Sequence, residues 1–243
     1  VVGGTLRVDG TVLAEGGAGL YNNFAGGGAG GSIVLTVGTL AGFGPISANG
    51  GAATGGNGGG GGGGRIALSY TNSSFLGTVS AYGGAGQQYG GAGTVFTKAA
   101  AWTTGEVRVD NGGNAGQFTP LYSQSLFNLT IANRAVVYPQ SALTNASLTV
   151  KSNGLLTHLA GQAGLTLTVL SNLTIEPLGR IDASGQGHGP ASGPGAGTND
   201  VYWGGSGGGH GGVGGTSAAG GGGAYDSIVA PSQFGSGGGN GYF

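Results

Sequence analysis

The chain has 243 residues, of which 64 are glycine, and only 6% are charged, against about a quarter in ordinary globular domains. Seven basic and eight acidic residues leave a net charge of −1, so no electrostatic footprint for nucleic acid or an acidic membrane surface exists, and both partners are excluded. No apolar run approaches the ~20 residues that span a bilayer, which predicts no membrane insertion.

Disorder is the first alternative for a chain this rich in glycine. Against it stand a hydrophobic fraction of 38% and short runs of Val, Leu, Ile and Thr bounded by Gly, which predict strands. Hardly any helix-length window escapes Gly, Pro or a β-branched cluster, and Gly alone costs about 1 kcal/mol per helical position. Essentially no α-helix is expected.

From the first residues onward one pattern recurs. Leu6-Arg-Val-Asp-Gly-Thr-Val-Leu-Ala-Glu-Gly-Gly17, Gly44-Pro-Ile-Ser-Ala-Asn-Gly-Gly51, Gly77-Thr-Val-Ser-Ala-Tyr-Gly-Gly84 and Gly179-Arg-Ile-Asp-Ala-Ser-Gly185 each place a β-branched residue two before an Ala. That spacing puts both side chains on one strand face. Val12 to Ile46 is 34 residues and Ile46 to Val79 is 33. A second strand keeps the step, with Ser32-Ile-Val-Leu-Thr-Val37 over Arg65-Ile-Ala-Leu-Ser-Tyr70 and then Thr94-Val-Phe-Thr-Lys98. Two registers sharing one period predict coils that bury their core against one another.

Further along, Asn128-Leu-Thr-Ile131, Ser147-Leu-Thr-Val150 and Thr166-Leu-Thr-Val169 advance by 19 residues each, with Asn172-Leu-Thr-Ile175 close behind. The expected fold class is all-β: a parallel β-helix or β-solenoid forming a single domain over 1–243. Large coils with glycine-rich loops occupy 1–105, compact coils 106–185, and a glycine-rich tail with little that could enter a strand ladder 186–243.

The excursions 18–31, 52–64 and 85–93 leave the large coils at equivalent places. Extended three-fold backbones without side chains can lie close enough to pair their N–H and C=O groups, so a polyglycine-II-like layer is expected there rather than flexible linkers. Leu20, Tyr21 and Phe24 inside the first excursion favour order.

Chemistry is sparse. The eight acids, Asp9, Glu15, Glu106, Asp110, Glu176, Asp182, Asp200 and Asp226, are dispersed, whereas a polysaccharide-cleaving site needs carboxylates close together. Arg7-Val-Asp9, Arg108-Val-Asp110 and Arg180-Ile-Asp182 read as surface ion pairs on strand faces, each worth about 0 to 1 kcal/mol. His158, His188 and His210 lack metal-ligand spacing. No catalytic residue, cofactor site or metal site is expected, and the chain is read as a non-enzyme. Four sequons, at Asn72, Asn128, Asn145 and Asn172, are candidates for covalent glycans that would hydrate a surface poor in charge. Several of them merely open the Asn-Leu-Thr-Ile strand pattern. Tyr82, Tyr89, Trp102, Tyr122 and Trp203 could stack on sugars, which keeps an adhesin or glycan-binding module as the alternative.

Ser32-Ile-Val-Leu-Thr-Val37 with Ile46-Ser-Ala-Asn-Gly-Gly51, the Gly58–Gly64 run before Arg65, and Phe234-Gly-Ser-Gly-Gly-Gly239 resemble the glycine-rich repeat regions of large secreted or surface proteins of environmental bacteria. They are also similar in character to fibre subunits from freshwater microbial material. The resemblance implies an extracellular, glycosylated structural protein. Absence of Cys and Met fits such an oxidising location, and the opening Val1-Val2-Gly3 reads as a mature or excised segment. An uncapped stack exposes strand edges and core at both ends, so a head-to-tail homopolymer is expected, with Val1, Val2, Leu6, Val8, Phe234, Tyr242 and Phe243 as inter-subunit contacts.

Overall fold

The computed structural model describes residues 1–20, 24–122, 125–161, 164–200, 204–218 and 220–241. The chain is all-β, with no helix among those residues. It divides into two compact units, Val1–Thr157 with Thr166–Asp182, and His158–Leu165 with Ala183–Phe243.

The first unit opens with β1 (Val2–Val8), β2 (Val12–Leu13), β3 (Ser32–Gly42), β4 (Ile46–Ser47), β5 (Arg65–Phe75), β6 (Val79–Ser80) and β7 (Thr94–Ala99). β1, β3, β5 and β7 form a parallel ladder in which Ile33 faces Ile66 and Leu35 faces Leu68. β2, β4 and β6 form a second one, with Ile46 between Val12 and Val79. The spacings read from the sequence are thus the registers of the two ladders. Between them lie Ile33, Val37, Leu40, Ile46, Ala48, Ile66, Leu68, Ala81 and Val95, all buried. Each large aliphatic member contributes about 1.5–3 kcal/mol relative to exposure.

Beyond β2, β4 and β6 the backbone changes period. Ala14 N–H donates to Ser47 O and Gly16 N–H to Asn49 O, two residues apart as in a strand, but the next donor is Gly19, to Ala52 O. Ala48, Gly50 and Ala53 repeat this switch onto Ser80, Tyr82 and Ala85. Returning segments keep the step of three, with Gly27 and Gly30 donating to Gly59 and Gly62, and Gly60 and Gly63 to Gln88 and Gly91. Outward and returning arms also bond each other: Gly28 N–H to Gly17 O (2.8 Å), Gly51 N–H to Gly28 O (2.8 Å), Gly84 N–H to Gly61 O (2.7 Å). A three-residue step is the repeat of the extended three-fold helix, and here it satisfies backbone groups that would otherwise be buried unpaired.

The chain continues with β8 (Gly105–Asp110), β9 (Phe118–Leu121), β10 (Phe127–Ala132), β11 (Val136–Pro139), β12 (Leu143–Asn145), β13 (Ser147–Val150), β14 (Leu155–Leu156), β15 (Leu167–Val169), β16 (Leu173–Ile175) and β17 (Arg180–Ile181). β8, β10, β13 and β16 extend the first ladder, β9, β11, β14 and β17 make another, and β12 and β15 pair. Asn128-Leu-Thr-Ile131 stacks on Ser147-Leu-Thr-Val150 in the 19-residue register. The next stacked segment is not Thr166-Leu-Thr-Val169 but Asn172-Leu-Thr-Ile175, with Leu148 facing Leu173. Leu167–Val169 pairs instead with Leu143–Asn145. Residues 158–165, which belong to the second unit, lengthen this turn and displace the look-alike motif onto another face.

One step departs from uninterrupted parallel stacking. β7 and β8 are antiparallel, with Val95 opposite Arg108 and Phe96 opposite Val107. Directly opposite residues share a face, so Arg108 points to the side where Val95 is buried, and Val107 to the other. Val107 and Val109 line up with buried Leu129 and Ile131. The two halves therefore pack their cores against opposite faces of one eight-stranded sheet.

In the second unit no strand is present among the described residues, yet it is hydrogen-bonded throughout. His188 and Ala191 donate to Gly235 and Gly238, Ser206 and Gly209 to Thr198 and Gly195, and Gly222 and Tyr225 to Gly207 and His210. The same step of three recurs in this segment, where the sequence offers little that could enter a strand ladder.

Candidate assembly surfaces

The seam between β7 and β8 explains why the first half has no open core there. Arg108 Nη2 donates to Val79 O at the free edge of β6, and Arg108 Nη1 lies 3.1 Å from Asp110 Oδ2. Asp110 also accepts from Gly112 N–H (2.7 Å) and Asn133 Nδ2 (3.0 Å). Asn111, fully buried, accepts from Gly83 N–H and donates to the carbonyls of Gly90 and Asn114. Arg108–Asp110 is one of the three ion pairs that the sequence places on strand surfaces. Arg7–Asp9 and Arg180–Asp182 are exposed, but the Asp110 side chain is 7% accessible, so it belongs to a buried polar cap.

The two ends of the stack have no such cap among the described residues. At one end, Leu148 and Val150 of β13 are 0% exposed, while Leu173 and Ile175, stacked on them in β16, are 46% and 48% exposed. At the other, Val12 and Ala14 are half-buried where Ile46 and Ala48 of the next coil are fully enclosed. β1 and β16 are the edge strands of the long sheet, each with one row of backbone groups facing away from the chain's own ladder.

Among the candidate contact residues, Val1 and Val2 are exposed and Leu6 half-buried, but Val8 is buried in the first core. Phe234 stacks on His158 at 5.8 Å and meets His188 edge-on at 5.9 Å. Val8 is thus engaged in the chain's own core and leaves the set of inter-subunit contacts, whereas Phe234 is half-buried. Tyr242 and Phe243, like Tyr21 and Trp203, lie outside the described residues.

The sequons divide. Asn72 in β5 and Asn172 before β16 are exposed. Asn128 is half-buried, accepts from Ser147 Oγ (2.8 Å) and donates to Thr104 Oγ1 (3.3 Å). Asn145 is 0% exposed and its Nδ2 donates to Phe127 O, which leaves no room for a glycan in the folded chain and removes it as a candidate.

Acidic groups serve local structure. Glu15 accepts from Ser47 Oγ and Asn49 Nδ2 of the next coil, and Glu106 from Thr130 Oγ1. Asp226 accepts from the backbone N–H groups of Gln233, Ser227 and Ser232, and His210 Nε2 lies 3.3 Å away. Those bonds, the one from Gln233 first, lower its pKa to about 2. Among the described residues no group of three or more His, Asp or Glu could hold a metal ion. The polar seam was missed by sequence reasoning, whereas the arms fall within the excursions 18–31, 52–64 and 85–93 that it singled out. The Gly-Gly-Ala triplets at 16–18, 50–52 and 83–85 are the signal that locates the arms.

Comparison of the chain with protein-family models, with curated proteins and with solved structures finds no match.

Proposed function

We propose that the chain is a structural subunit of an extracellular filament, a β-solenoid with polyglycine-II-like arms that polymerises head to tail with copies of itself. The observation that carries this reading is the apolar column Val109, Ile131, Val150, buried throughout and then half-exposed at Ile175. Leaving two such side chains open forfeits on the order of 1–2 kcal/mol each, which a stacked neighbour recovers. The unpaired edges of β1 and β16 add directionality, because an edge strand is a template for another chain. Unlike ends meeting in this way propagate rather than close.

No catalytic role is assigned: Glu15 and Glu106 hold inter-coil hydrogen bonds, Asp110 belongs to the seam and Asp226 to a turn. Exposed Asn72 and Asn172 are the sites where covalent glycans would hydrate the fibre. The test is direct: purified chain is examined by sedimentation and electron microscopy over a concentration series, beside Leu173→Asp/Ile175→Asp. Long assemblies from the parent chain and their loss in the variant support the reading. A parent chain that stays monomeric at every concentration refutes it.

A further inference from the structure

We propose that the glycine arms of the first coil are a docking surface for an extended, glycine-rich backbone from the 183–241 unit of a second copy of this chain. The proposal rests on the filament reading and specifies which surfaces meet.

Four columns of glycine run along the large coils: 10/44/77, 17/51/84, 28/61/90 and 31/64/93. In the second and third coils every member is there for a steric reason. A Cβ at Gly44 would overlap Gly10 O, and one at Gly77 would overlap Gly44 O; Gly51 and Gly84 stand in the same relation to Gly17 O and Gly51 O. Gly61, Gly90, Gly64 and Gly93 likewise abut the carbonyl oxygen of the preceding coil. Only a residue without a side chain lets backbones approach so closely.

The first coil keeps the glycines without that reason. A Cβ at Gly10 or Gly17 would meet nothing within 4 Å among the described residues, and at Gly28 and Gly31 the nearest atoms are Gly17 N at 3.2 Å and Ala14 Cβ at 3.3 Å. Neither Gly10 nor Gly17 has positive φ, so conformation does not require glycine either, and each carries the entropic penalty of about 0.5–1 kcal/mol relative to Ala. Their Cβ directions point out of the open end, where the equivalent directions in later coils meet backbone.

Hydrogen bonding gives an independent indication. Gly51 N–H and Gly84 N–H bond Gly28 O and Gly61 O, but the equivalent Gly17 N–H has no partner among the described residues. Ala52 O, Gly59 O and Gly62 O each accept a bond from the preceding coil, while Ala18 O, Gly26 O and Ala29 O, their first-coil equivalents, accept none there. The surface thus offers donors and acceptors at a three-residue step, with only the methyl groups of Ala18 and Ala29 among the acceptors named.

Its occupant must present the same step. Within the 243 residues that geometry occurs in the large coils and in the second unit. The third large coil is closed by Asn111, which bonds Gly83 and Gly90, and by Gln117 N–H donating to Tyr89 O. The compact coils from β8 to β17 carry no glycine arm. Two open first coils meeting face to face would close a pair instead of propagating a filament, so the second unit remains, and its Gly215, Gly220 and Gly223 also have nothing within 4 Å of a Cβ.

Two variants test this. Gly17→Leu projects a side chain from the open face, and Gly59→Leu adds one at an exposed position of the second coil with nothing within 4 Å. At a concentration where the parent is monomeric both are expected to melt like it, while at higher concentration Gly17→Leu alone weakens self-association about tenfold or more. A lowered melting temperature for monomeric Gly17→Leu overturns the claim that the face is free. Equal association of parent and Gly17→Leu overturns the docking surface and leaves the filament reading standing. A parent that never associates overturns both. To identify the occupant, Ala18→Cys in a chain otherwise lacking cysteine carries a benzophenone, and isotopically labelled and unlabelled copies are mixed so that inter-copy products are recognised by mass. Capture within 183–241 supports the proposal, and capture within 166–182 overturns it.

Discussion

Leu178 sits at φ +67 in the corner that leads into β17, where the preceding coil places Asn153 at φ +59. Left-handed backbone strains Leu by about 1–2 kcal/mol, whereas Asn tolerates it. The Leu178 side chain, 70% exposed, recovers little of that strain by packing. Leu178→Asn is therefore expected to raise stability by about 1 kcal/mol in chemical denaturation. Asp110 and Asp9 offer a second contrast, because both face an Arg two residues away but only Asp110 is enclosed. Removing one partner of a buried, hydrogen-bonded pair costs about 3 kcal/mol or more, and removing an exposed one costs under about 1 kcal/mol. Denaturation of Asp110→Ala and Asp9→Ala should separate by that margin, and equal losses would refute the seam as a cap. Asp226 adds a pH dependence. Its pKa in the fold, about 2, lies below that of a free carboxyl, so its contribution is fully present above pH ~4 and is lost as pH falls through ~2. The protection of the Ser232 and Gln233 amides, relative to their intrinsic exchange rates, should fall over that window in the parent and be low at all pH values in Asp226→Ala.

At the scale of elements, the arms stand or fall on which glycines face backbone. Gly51→Ala places a methyl group on Gly17 O, whereas Gly59→Ala meets nothing. The first is expected to lower stability by about 2 kcal/mol or more, as overpacking of rigid backbone does, and the second to leave it within about 0.5 kcal/mol. The same elements show what a sequence can reveal. Val12, Ile46 and Val79 were legible as one column because burial forces a β-branched residue to recur at each turn of the coil. The strand pattern carries no information on direction, however, so Gly105–Asp110 read as one more coil. The connection does carry it: five residues, 100–104, separate β7 from β8, too few for a parallel crossover, which takes a dozen or more. Thr166-Leu-Thr-Val169 misled for a related reason, since it repeats the residues of Ser147–Val150 and only the length of the intervening chain shows that it lands on another face. Of the candidate surfaces, the exposed end at Leu173 and Ile175 was invisible, because the equivalent pairs Leu129 and Ile131, and Leu148 and Val150, in near-identical motifs are buried.

For the whole first unit, the seam constrains how copies can join. β1 and β7 run in one direction and β8 and β16 in the other, so the edge strands at the two ends of the eight-stranded sheet are antiparallel. If copies stack in one orientation and the sheet continues, β16 of one must meet β1 of the next in antiparallel register, and the buried face must switch sides again at the joint. Leu173 and Ile175 then pack beneath the outward face of β1 rather than against Val12 and Ala14, which leaves the first coil's arms to a different segment of the neighbour. A helical reconstruction of the filament should show alternating parallel blocks of four strands with an antiparallel step between subunits as well as within them. Parallel pairing of β16 with β1 would require successive copies to be inverted or the sheet to be broken, and its observation would end the head-to-tail account. Leu173→Asp offers the complementary measurement: it leaves the isolated chain's melting within about 1 kcal/mol of the parent, because the side chain is already half-exposed, and it abolishes elongation.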